Sequence, residues 1–298
     1  MRSKITMPTP TKRWLHIVGG ALGFMGVAFV AVRLGSYAHV INFTRFNPIS
    51  ILLIVLLTLI YGAGNILLAQ AWWCLLSFLD KKIAKNRAIK IYGISQLAKY
   101  VPGNIFHLAG RQAMGMAAGV TAEILLKSTL WELTLITLAG ALFSLLVLPL
   151  LWPAVSIFAA ITIFAVLVIG CVRAMNHFLS HLLGTAMILQ IIFLAISGFI
   201  FISVILIINP QAISPAMFIT LCGAYVVAWL GGLITPGAPA GAGIREMILL
   251  FLLDGGVAQV DLLLAVVLGR MITVLGDLLF FTITFKYFNG EATWTERL

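Results

Sequence analysis

Acidic residues are scarce in this chain, nine among 298, and all charged residues together make up only 9%. An ordinary soluble domain carries roughly a quarter, so charge this sparse cannot provide a hydrated surface on every side. No stretch of 60 or more polar residues interrupts the apolar pattern to build a soluble domain. Cysteine is as rare: Cys74, Cys171 and Cys222 stand singly in apolar runs, without a C-x-x-C pair. That argues against a disulfide framework or a zinc site and leaves them as small apolar residues. His177 and His181 form an H-x-x-x-H pair, but no third ligand lies near in sequence, so no metal or other cofactor is expected. The G-x-x-x-x-G-K-[ST] phosphate loop, the G-x-S-x-G elbow and H-E-x-x-H are all missing. Direct ATP-driven pumping and hydrolase chemistry are therefore not expected, no catalytic residue is assigned, and the chain is read as a non-enzyme.

What is abundant is grease. Hydrophobic residues make up 62%, in runs that repeatedly exceed the roughly 20 positions needed to cross a bilayer. Long spans are predicted over 14–32, within 49–79, and over 122–150, 152–172, 183–208, 215–234 and 262–285. A short eighth crossing over 244–254 is the open alternative. Tryptophans in or near these runs suit interfacial anchoring. The expected fold is an all-α polytopic membrane protein, one integral membrane domain over 1–298, with seven to eight transmembrane helices and two broken or re-entrant segments, an inverted repeat being an open alternative.

Net charge is +10, concentrated in short segments. Arg2, Lys4, Lys12 and Arg13 form a basic terminus (residues 1–13), and Lys81, Lys82, Lys85, Arg87 and Lys90 follow the second run. Short basic loops stay in the cytoplasm, so the amino terminus is expected inside, with the basic clusters against anionic headgroups. No soluble basic module accompanies them, so nucleic acid is not an expected partner. The run 14–32 is too long for a secretory signal core and is read as a retained anchor. For Arg173 to remain inside, residues 88–120 must not cross the membrane; a dip from the cytoplasmic face is the favoured reading, and a broken helix lying on the surface is the alternative.

Two segments share a pattern. VPGNIFHLAGR (101–111) and TPGAPAGAGIR (235–245) each contain Pro-Gly, pass through small residues, and reach an arginine nine positions after the proline. Pro102 and Gly103 end one helix, and Asn104 is a candidate N-cap for the next, whose free N–H groups suit phosphate or carboxylate. Lys99, Tyr100, His107 and Arg111 lie within about two turns of that point. In the second segment, broken over 235–255, Pro236, Gly237, Gly241 and Gly243 forbid a regular helix before Arg245 and Glu246. An arginine at membrane depth needs a partner or water. Paired interruptions are a transporter signature with the substrate between them; snorkelling to headgroups is the competing account of Lys99 and Arg111.

Five ionisable residues inside spans form a third signal, read as a polar path or coupling set. Glu123 and Lys127 stand at i, i+4 in the favourable order, with Glu132 further along the same span. Arg270 and Asp277 share a face of the last span. Glu132 and Arg270 either pair with each other or line a polar path, and structural pairing between helices is the alternative.

The blocks K-Y-x-P-G-x-x-x-x-x-x-G-R (Lys99 to Arg111) and P-G-x-x-x-G-x-G-x-R-E (Pro236 to Glu246) resemble the membrane region of lysylphosphatidylglycerol synthases and their stand-alone relatives. The resemblance covers nearly the whole chain; Ala238-Pro239-Ala240 departs from the plainer glycine-rich run of that family. It implies a flippase-like membrane unit without the soluble synthase domain, working in a bacterial-type inner membrane. The expected function is transport of an amphiphile with an anionic headgroup, a phospholipid or polyprenyl-phosphate-linked carrier. The expected partners are membrane lipids and enzymes of lipid-linked glycans, and the alternative function is an accessory membrane subunit for a glycosyltransferase or lipid-modifying enzyme. Neither the residues nor the resemblance set the oligomeric state.

Overall fold

Asn47 caps the first described helix: its side chain accepts from the Ser50 N–H at 2.7 Å, and Pro48 occupies the first turn, where a missing N–H costs nothing. Helix α1 then runs without interruption over Pro48–Phe78. At 1.5 Å per residue it is about 46 Å long, more than the roughly 30 Å hydrocarbon core requires. Its end is set by Asp80 in the left-handed region (φ 57°), with the Lys81 N–H returning to the Leu76 carbonyl at 2.9 Å. The computed structural model describes residues 46–81, 83–101, 105–235, 241, 243–254 and 256–287. The basic terminus and the expected span over 14–32 lie outside them.

The other elements follow as α2 (Lys85–Gln96), a 3-10 turn (Leu97–Tyr100), α3 (Phe106–Ala117) and α4 (Ala122–Leu142), which continues through short turns to Leu151. Then come α5 (Ile157–Phe178), α6 (His181–Ile208), α7 (Phe218–Ile234), α8 (Ile244–Leu252) and α9 (Gln259–Tyr287). No strand occurs among the described residues. Among the described residues, six stretches are long and apolar enough to cross a membrane: Pro48–Phe78, Ala122–Leu151, Ile157–Phe178, His181–Ile208, Pro215–Ile234 and Gln259–Lys286. The chain is an all-α, multi-pass membrane protein. These six coincide with the six spans expected after residue 45. The largest differences are in α5, which ends at Phe178 instead of Val172 and starts at Ile157, not Trp152, because Pro153 disfavours helix before it and Ser156 supplies the cap, accepting from the Ala159 N–H at 3.1 Å.

Both interrupted segments are short. Helices α2 and α3 have 12 residues each, about 18 Å apiece. Helix α8 has nine residues, about 14 Å, so by length it does not form the eighth crossing by itself. Helices α2 and α3 pack on each other, and α2 also lies against α1 and α9. At the centre, α1 packs on α6 and α9. Close approach to α9 depends on Gly62 and Gly276: a Cβ on Gly276 would lie 2.8 Å from Tyr61 Cδ1 and 3.0 Å from the Gly62 nitrogen. Small residues at such crossings let backbones meet where lipid offers no hydrophobic drive. Helix α5 buries only Ala160 and is the peripheral, lipid-facing member.

Candidate functional site

A cavity of about 130 Å³ lies where the two interrupted segments meet the bundle. Lys99, Tyr100, His107 and Arg111 reach it from the first segment and Arg245 from the second. Glu132 enters from α4 and Arg270 from α9, while Tyr61, Tyr92, Phe193 and Trp229 supply aromatic walls. A lining this polar is uncommon inside an apolar bundle, and each charge in it must be accounted for.

Three cations have carboxylate partners. Arg111, 2% exposed, donates through Nη1 to Glu132 Oε2, and its guanidinium lies over the Tyr92 ring at 3.9 Å and near Trp72 at 5.5 Å. Tyr92 Oη donates to the other oxygen of Glu132 at 3.1 Å, and Trp72 is held by Ser128 at 3.2 Å. Lys99 Nζ lies 2.7 Å from Asp277 Oδ2. That carboxylate is fully buried and also accepts from Tyr100 Oη and, at 3.1 Å, from Asn65 Nδ2. Arg270 Nε donates to Glu246 Oε1 at 2.7 Å, and its Nη2 to the Gly241 carbonyl at 3.1 Å. Glu246 also accepts from the Gly243 N–H at 2.7 Å, so one carboxylate both caps α8 and ties it to α9.

The cations and carboxylates do not pair as their positions along the chain suggest. Glu132 and Arg270 do not pair with each other: helix rotation turns Glu132 toward Arg111 and leaves Arg270 to Glu246. Both still line the same cavity. The i, i+4 pair forms as expected, Lys127 Nζ to Glu123 Oε1 at 2.6 Å, but it is exposed and neither residue lines the cavity. Snorkelling does not describe Arg111, which is buried and paired.

Arg245 is different. No carboxylate among the described residues lies within salt-bridge distance of it, its Nε is buried without an acceptor, and its guanidinium lies 5.9 Å from the Tyr225 ring. It stands in the first turn of α8, at the positive end of the helix dipole, where a cation is electrostatically misplaced. His107 Nδ1 and Arg111 Nε are also buried without partners. Loss of hydration, then the charges of Arg111 and Lys99, push the His107 imidazole down to about 3, so it is neutral at physiological pH.

Gly241 and Gly243 take left-handed φ values of 71° and 87°. A Cβ on Gly241 would lie 2.8 Å from the Gly232 Cα, so the backbone at Gly241 lies tightly against α7. Pro102, Gly103, Asn104, Pro236 and Gly237 lie outside the described residues. Sequence reasoning missed Tyr92, Trp72 and Asn65. The signal available for Asn65 was a polar side chain in the middle of a 31-residue apolar helix; Tyr92 and Trp72 carried none, since aromatic residues are ordinary in such a chain. No family model, curated protein or solved structure matches the chain.

Proposed function

We propose that this chain is a lipid transporter of flippase type, moving an amphiphile with an anionic headgroup across a bacterial-type inner membrane, with its amino terminus in the cytoplasm. The observation that carries this reading is Arg245: a cation facing a cavity between two interrupted segments, with no carboxylate beside it among the described residues. An anionic headgroup would relieve the repulsion between that guanidinium and the dipole of α8, and would accept from its unused Nε–H. The cavity is small against the ~300–1,000 Å³ of drug-sized pockets, which suits a headgroup, with the acyl or prenyl chains left in lipid.

The paired interruptions and the resemblance to lysylphosphatidylglycerol synthase membrane regions support transport over a purely structural role. No phosphate loop occurs in the sequence, so movement is downhill or ion-coupled. The test is translocation of fluorescent-headgroup lipids by the purified chain in liposomes. The wild type is expected to exceed protein-free vesicles, and Arg245→Ala to lose most of that rate. Equal rates for the two proteins would sink the proposal. A stoichiometric enzyme partner on purification, with no lipid movement, would favour the accessory-subunit reading instead.

A further inference from the structure

The cavity offers more than one positive residue; it offers a count. Four cations line it, Lys99, Arg111, Arg245 and Arg270. Three carboxylates, Asp277, Glu132 and Glu246, neutralise three of them one by one. Three of the nine acidic residues of the whole chain are thus spent on one small cavity. Among the described residues a single surplus charge remains, on Arg245.

Burial makes that count consequential. Asp277 is fully buried, and Arg111, Glu132 and Arg270 are each at most 9% exposed. Arg245 itself is half-buried with its Nε enclosed, and a charge withdrawn from water in this way is unfavourable unless it is matched. The unused hydrogen-bonding groups point the same way. Nε of Arg111 and Nε of Arg245 are buried donors without acceptors, and an arginine cannot lose its proton to relieve this. A ligand complementary to this cavity would therefore supply acceptors and one negative charge.

We propose that the cavity selects by charge number: it takes a phosphodiester headgroup of net charge −1, in preference to a zwitterion or a phosphomonoester dianion. This rests on the transporter reading and refines it. A zwitterionic head would bring its own cation against Arg245 and leave the surplus uncompensated. A phosphomonoester, with its second pKa near ~6, would bring a second negative charge that only a broken internal pair could answer.

The test measures binding to the purified full chain in neutral detergent at pH 8. The probes are dihexanoylphosphatidylglycerol, dihexanoylphosphatidylcholine, dihexanoylphosphatidic acid and the chain-free headgroup glycerophosphoglycerol. The phosphatidylglycerol is expected to bind at least tenfold more tightly than the other two lipids. Arg245→Gln is expected to abolish that preference, and Arg245→Lys to keep it. Glu132→Gln, which releases the charge of Arg111, is expected to move the preference toward phosphatidic acid. Equal binding of the three lipids, an unchanged ranking in Arg245→Gln, or an unchanged ranking in Glu132→Gln would each overturn the rule. Glycerophosphoglycerol binding as tightly as the lipid would support the single-charge site while moving its ligand from membrane to solution. The expected ranking without any translocation would sink the transporter reading and leave the charge rule standing.

Discussion

Lys99 and Asp277 meet in a 2.7 Å ion pair that fastens the first interrupted segment to the middle of α9. The carboxylate is fully buried, and Tyr100 and Asn65 direct their donors to the same group. Asp277→Ala would leave the half-buried Lys99 ammonium and the buried Tyr100 hydroxyl without their carboxylate, and the Asn65 amide with only the Tyr61 carbonyl. Such losses cost roughly 3–5 kcal/mol, so a marked fall in the thermal midpoint in detergent is expected. Replacing both members with apolar residues, Lys99→Met with Asp277→Leu, should recover most of that loss. A double variant as unstable as Asp277→Ala would show that the pair does not act as a unit.

Arg111 depends on its planar shape as well as its charge. It stacks on Tyr92 while reaching Glu132, a combination that an ammonium cannot reproduce. Arg111→Lys is expected to destabilise the protein, and Arg111→Ala to do so by about 3–5 kcal/mol. Tyr92→Phe removes one hydrogen bond to Glu132 and keeps the ring, so about 1.5–3 kcal/mol is expected. Unfolding midpoints in graded denaturant give this order directly.

The crossing of α1 and α9 is tested by two glycines seven residues apart on α9. Gly276→Ala places a methyl 2.8 Å from Tyr61 Cδ1 and 3.0 Å from the Gly62 nitrogen, and overpacking of this kind costs roughly 1–3 kcal/mol. Gly269→Ala meets nothing within 4 Å and is expected to be neutral or slightly stabilising, as alanine is the better helix former. Similar midpoints for the two variants would count against the close approach.

The Glu123–Lys127 pair is exposed at the start of α4, and pairs of this kind contribute little. Lys127→Ala is expected to leave the thermal midpoint unchanged within error. A clear drop would mean that the pair is more enclosed than its exposure indicates.

Spans, breaks and the two arginines could be read from the chain itself, because run length, proline and glycine act locally. A stretch of apolar residues long enough for a bilayer must bury its own backbone hydrogen bonds and forms a helix wherever it lies, so the six spans fell where their composition required. The partners of the charges could not be read that way. Glu132 could have faced Arg270, and Lys99 or Arg111 could have reached headgroups. Only the rotation and crossing of helices sent Glu132 to Arg111, Asp277 to Lys99 and Glu246 to Arg270, leaving Arg245 over. Charge pairing acts across a few ångströms between residues far apart in sequence, and that distance exists only once the helices have packed.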